Sequence, residues 1–144
     1  MKKFICLAIA VIMIMSCVMV SAEEIVTVKI NDKVIDFDVP AQIINDRTMV
    51  PMRKIFEELD ATVTWIDELE LVVATKDEKI VSLAINSNIL LINDTKTGAT
   101  KKVELDVPAQ LVNDRTLVPA RAVSEALDAK VDWDEASQTV LIEL

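Results

Sequence analysis

Short apolar runs, separated by Asn, Asp and Pro, set the rhythm of this chain. Residues 25–30, 34–39, 71–75, 79–85, 88–92, 101–107 and 139–144 are rich in Val, Ile and Leu and read as strands. Residues 62–65 and 130–133 are shorter runs of the same kind, and the first alternates so that Val63 and Trp65 share a face. Asn31-Asp32 divides the first two runs and predicts a hairpin, because Asn and Asp tolerate positive φ. The equivalent turn farther along grows to residues 93–100 and holds the single glycine. In residues 42–50 apolar positions flank Asn45-Asp46-Arg47-Thr48, which predicts a tighter turn, and residues 110–118 repeat it.

Helix signals are few. Pro51 and Pro119 predict helix starts, since proline at the first helical position gives up no needed N–H. Met52, Ile55, Phe56 and Leu59 then fall on one helical face, and Ala120, Val123 and Leu127 match them. Each helix is only about two to three turns long and must dock on a sheet to persist. Asp60 and Asp128 stand where the helices stop. That place favours the left-handed conformation that glycine adopts freely and aspartate adopts at about 1 kcal/mol.

These elements occur twice. Residues 38–65 (DVPAQIINDRTMVPMRKIFEELDATVTW) and residues 106–133 (DVPAQLVNDRTLVPARAVSEALDAKVDW) agree at 18 of 28 positions with an offset of 68. A duplicated supersecondary unit of this kind buries its apolar face against its neighbour. The expected class is α+β: two tandem repeats of antiparallel β-hairpins plus one short helix each, with sheet packed on helix.

The beginning of the chain follows other rules. Lys2-Lys3, an apolar run over residues 4–20 broken by Ser16, and Val20-Ser21-Ala22 before Glu23-Glu24 have the three parts of a secretory signal peptide, with cleavage expected after Ala22. Two alternatives stay open: retention of the run as a membrane anchor, or a lipoprotein signal ending at Cys17. Removal of residues 1–22 takes away both cysteines and two lysines, so net charge moves from −9 to −11 and no disulfide can form. The expected organisation is residues 1–22 as signal peptide, then repeats over 23–78 and 79–144 sharing one core, in a secreted or extracytoplasmic setting at the cell envelope.

Composition removes much chemistry. The chain has no His and no Tyr. Zinc, copper and non-haem iron sites lack their usual ligands, and Ser–His or Cys–His relays cannot form. Once residues 1–22 and their two cysteines are removed, oxygen ligands alone remain, but neither Asp132-Trp133-Asp134-Glu135 nor Asp32, Asp36 and Asp38 has the spacing and central glycine of a calcium loop. No cofactor and no metal are expected. The acidic balance and scattered basic residues argue against nucleic acid, and membrane association is expected only if the signal is retained.

Six duplicated side chains are candidates for binding. Trp65 and Trp133 read first as core residues packed on their own helices with Val63 or Val131, and second as sugar-stacking platforms. Arg47, Arg53, Arg115 and Arg121 read first as structural partners of carboxylates or carbonyls, with Asp38 and Asp106 the natural acids, and second as an anion site.

Asn45-Asp46-Arg47-Thr48-Met49-Val50-Pro51-Met52-Arg53, then Leu59-Asp60-Ala61 and Trp65, resembles the copper amine oxidase N-terminal domain family, also called the stalk domain. The match recurs at residues 113–121, at Leu127-Asp128-Ala129 and at Val131-Asp132-Trp133. Asp replaces the family's Gly at positions 46, 60, 114 and 128. The resemblance implies an antiparallel sheet wrapped around helix, exported by bacteria as an accessory module apart from any catalytic centre. Amine oxidase chemistry needs a Tyr-derived quinone and His-bound copper, and this chain has neither residue. The resulting expectation is a non-catalytic, exported stalk-like module for interaction or scaffolding with an envelope or extracellular partner. The alternative is a binding module for cell-wall polysaccharide or peptide, using the Trp or Arg positions; a hydrolase using two carboxylates is remote.

Overall fold

The computed structural model describes residues 25–144. The signal peptide expected over residues 1–22, with its cleavage site and Cys17, lies outside them. Strands make up half of the described residues, thirteen strands in three sheets with two short helices among them.

In chain order, β1 (Thr27–Ile30) and β2 (Lys33–Val34) form the first hairpin. β3 (Gln42–Ile44) and β4 (Arg47–Pro51) form the second, and α1 (Met52–Glu58) follows at once. β5 (Thr62–Ile66), β6 (Leu71–Lys76), β7 (Lys79–Ala84), β8 (Ile89–Asp94) and β9 (Thr100–Glu104) meander in that order as one five-stranded antiparallel sheet. β10 (Gln110–Val112), β11 (Arg115–Pro119), α2 (Ala120–Ala126) and β12 (Lys130–Asp134) stand 68 residues beyond β3, β4, α1 and β5, and β13 (Thr139–Glu143) ends the described chain.

The expected class does not survive. Each repeat was to carry its own hairpins, with sheet packed on helix. The protein is instead mostly β, and its sheets are not assembled repeat by repeat. The middle sheet has the order β10-β11-β4-β3, so hairpins from both halves meet through β11 and β4. The third sheet, β12-β13-β1-β2, joins the two ends of the described chain, and its β1–β13 pair is parallel, with Thr27 opposite Thr139 and Ile30 opposite Ile142. Seven residues per helix are too few to form a layer of their own.

The β4–β11 register reveals a local two-fold relation. Val50 pairs with Val118, its own equivalent 68 residues on, and Pro51–Leu117 mirrors Met49–Pro119. Alternation along a strand sends neighbours to opposite faces. Val50 and Val118 therefore join the main core with both helices, while Met49 and Leu117 close a small cluster with Val39 and Val107 on the other face. The predicted helix faces are buried as expected: Met52, Ile55, Phe56 and Leu59 in one half, Ala120, Val123 and Leu127 in the other. Helix α1 packs on α2 and reaches β11, and α2 reaches β4, so the packing is also exchanged between halves.

Two boundaries move. Pro51 and Pro119 end strands and occupy the N-cap positions with ψ of 116° and 119°, so the helices begin one residue later than expected, at Met52 and Ala120. Of the run over 34–39 only Val34 enters a strand, paired with Lys29, although Ile35 and Val39 still turn inward. Both helix ends close as expected. Asp60 and Asp128 have φ of 64° and 65°. Asp60 N–H donates to Glu57 O (3.0 Å) and Ala61 N–H to Phe56 O (2.8 Å), and Asp128 and Ala129 repeat the pattern on Glu125 and Ser124. This Schellman geometry satisfies carbonyls that the helix end leaves free.

Candidate functional site

The site begins at the two tight turns. Asn45 and Asp46 hold φ of 49° and 63°, and Asn113 and Asp114 hold 48° and 62°. Two successive positive φ angles make a turn whose twist matches a hairpin, and Asn-Asp adopts it more readily than bulkier pairs. Each turn delivers an arginine at the start of the next strand. Arg47 donates through Nε (3.1 Å) and Nη2 to Asp106 Oδ2. Arg115 donates through Nε (2.7 Å) to Asp38 Oδ2, with Nη2 at 2.6 Å. The acids are those expected from the sequence, and both pairs cross between halves. Arg115 holds the Asp38 carboxyl below its ordinary value, helped by the Val39 N–H (2.9 Å from Oδ1), and Asp38 in turn raises Arg115. All four side chains are about half exposed or more. Their strength is that of surface pairs, and their main effect is to hold each guanidinium in place.

The helices supply the second wall. Arg53 lies 3.7 Å from Glu57, and Arg121 lies 3.3 Å from Glu125, each one turn along its own helix. Arg121 Nη1 also donates to the Val131 carbonyl at 3.0 Å, tying α2 to β12. Lys54 meets Glu58 at 2.9 Å; that hydrogen bond raises the lysine and lowers the carboxyl, which Lys33 also approaches.

The tryptophans correct the first reading. Trp65 and Trp133 are 37% and 38% exposed, far outside the range of core residues. They sit on β5 and β12, each an edge strand of its sheet. Val131 is buried and Val63 half-buried against the core, so the shared face was legible and its cover was not. Trp65 Nε1 donates to Asp67 Oδ1 at 3.2 Å.

All six candidates line two open clefts. Arg47, Arg121 and Trp133 share one of about 960 Å³, and Arg115, Arg53 and Trp65 share another of about 710 Å³. Each cleft thus takes its turn arginine from one half and its helix arginine and tryptophan from the other, as the two-fold relation requires. All 14 residues lining the smaller cleft have their counterpart, 68 positions away, lining the larger one. Sequence reasoning missed Ile43 and Leu111, apolar residues exposed at 39% and 58% that bring a second apolar surface to each cleft. It also missed Lys101 and Lys102, which extend only the larger cleft. An apolar residue on the outer face of a duplicated hairpin strand was the available signal. Among the described residues no three acidic side chains gather as a metal-holding group. The arrangement can hold a ligand between an indole and fixed planar hydrogen-bonding groups.

The family model for the copper amine oxidase N-terminal domain matches residues 29–142. No curated protein matches the chain.

Proposed function

Since the chain belongs to the copper amine oxidase N-terminal domain family, whose domain taken alone is a non-catalytic accessory module, we propose that it acts as an exported, stalk-like spacer at the cell envelope. Its task there is interaction and scaffolding. Export draws its support from the signal-like pattern of residues 1–22.

One observation carries the spacer role, the parallel pairing of β1 with β13. Parallel neighbours point the same way. A segment preceding β1 therefore enters at one end of the sheet, and a segment following β13 leaves at the other, about 15 Å away. Tension along the chain runs along both strands and loads their hydrogen bonds together, in shear. Thr27 N–H to Gln138 O (3.0 Å) and Asn31 N–H to Ile142 O (2.9 Å) belong to this join, and the Asn31 side chain accepts from Leu144 N–H at 3.1 Å. Lys130 and Glu143, by contrast, are opposite one another in an antiparallel ladder, where tension opens one bond at a time.

Single-molecule pulling tests the role. Force applied through residues 25 and 144 is expected to unfold the protein at a higher force than force applied through residues 130 and 144. Equal or inverted forces refute the spacer. Recovery of the chain from the envelope or medium, with Glu23 at its N-terminus, tests export.

A further inference from the structure

We propose that the two clefts are a matched pair of binding sites for neutral pyranose units of one polysaccharide. A sugar stacks on Trp65 or Trp133 and is hydrogen-bonded by the neighbouring Arg–Asp pair. This goes beyond the spacer role and stands without it.

The chemistry of each cleft selects the ligand. An indole more than one-third open to water presents apolar surface to each cleft. The C–H groups on one side of a pyranose fit such a face. Beside it stand a guanidinium and a carboxylate already fixed to one another, Arg115 with Asp38 or Arg47 with Asp106. Fixed planar donors and acceptors match neighbouring hydroxyls and lose little entropy on binding.

Charge then narrows the choice. In the smaller cleft every cation already has its acid: Arg115 with Asp38, Arg53 with Glu57, Lys54 with Glu58. There a phosphorylated or uronic polymer would have to break these pairs, against a chain of net charge −9; the larger cleft also carries Lys101 and Lys102, so the polyanion contrast bears most on that site. A cationic polymer would meet the arginines. A neutral hydroxylated ligand meets neither obstacle. A peptide joining the edge strand β12 is disfavoured as well, because Arg121 already occupies the Val131 carbonyl on that edge.

Duplication narrows it further. The same Trp, two Arg and Asp recur at equivalent positions in both clefts, on one body sharing a single main core. Two like sites suit a ligand that presents the same unit many times, and a polymer gripped at both gains avidity without new contacts.

The two tryptophans make the test direct, since each gives its own indole N–H resonance. The protein is titrated with the hexamer of β-1,4-linked N-acetylglucosamine and with cellohexaose; polygalacturonate and a proline-rich decapeptide serve as contrasts. Both indole signals are expected to shift with at least one neutral hexamer, with dissociation constants that agree within about threefold. Trp133→Ala should leave the Trp65 titration unchanged, and Trp65→Ala the reverse. Retention on the insoluble polymer of the bound sugar should fall by about tenfold or more in either variant. The wild-type titration decides the question even if a variant folds poorly. The proposal is overturned if neither neutral hexamer moves both signals, or if only the polyanion or the peptide does.

Discussion

The cleft around Trp65 and the cleft around Trp133 share a plan and differ in size, about 710 against 960 Å³. The cause lies in the neighbouring hairpins. β2 ends after two residues, whereas β9 runs for five and lends Lys101 and Lys102 to the larger cleft. The interior differs in the opposite sense. α1 buries Met52, Ile55 and Phe56 where α2 buries Ala120, Val123 and Ser124. The two-fold relation holds for the β3–β4–α1 and β10–β11–α2 units and for the Arg, Asp and Trp positions of the clefts, but not for core volume. A shared interior requires a filled total, and either half can supply it. The turn and cleft residues have no such freedom, because each turn must satisfy its own backbone geometry and each turn arginine needs its acid from the other half.

The largest expected effect tests this asymmetry of the core. Phe56→Ala should cost about 3–5 kcal/mol in urea unfolding, since it empties a fully buried site. Ser124→Ala, at the equivalent position, should be neutral or stabilising by about 1 kcal/mol, because its buried Oγ has no partner. Similar losses in both variants would show that the halves contribute alike.

A middle-sized effect tests the symmetry of the backbone. Asp60→Gly and Asp128→Gly remove a side chain from left-handed residues at φ of 64° and 65°. Asp60→Gly should raise stability by about 1 kcal/mol, with a matching rise in Tm, and Asp128→Gly by somewhat less, because it also gives up the exposed Lys79–Asp128 pair. A gain at Asp128 with none at Asp60 would break the equivalence of the helix ends.

The smallest effect belongs to the cross-half ion pairs. The Asp38 carboxyl lies below its ordinary 3.8, chiefly because Arg115 hydrogen-bonds it. A carboxyl whose folded pKa is depressed adds stability above its unfolded value and loses it as pH falls through the folded one. Asp38→Asn should therefore lower Tm slightly at pH 7, and the gap from wild type should close as pH falls through and below 3.8. A gap that persists in acid would mean the carboxylate charge is not what Arg115 needs.

Much of the local structure was legible beforehand. Asn31-Asp32, Asn45-Asp46 and Asn113-Asp114 all adopt the positive φ their side chains tolerate. Helix faces followed from spacing, and Asp38 and Asp106 were the right acids for arginine. The tryptophans were misread because alternation tells which face a residue shares, not how far a neighbour extends over it. A seven-residue helix, about 10 Å long, is too short to bury them, and they line the clefts instead. The fold class was misread because a strand pattern carries no address for its partner: β1 could be seen as a strand, but nothing in its residues pointed to β13.

The sequence by itself determined the turns, the caps, the apolar faces and the doubling of the unit. Each of these depends on the sterics of a few consecutive residues, or on a period that repeats within one element. Tertiary structure alone decided that β4 meets β11, that β1 lies parallel to β13, and that each cleft draws on both halves. Those outcomes come from the whole chain covering its apolar surface and pairing its strand edges at once, a balance that no local stretch contains.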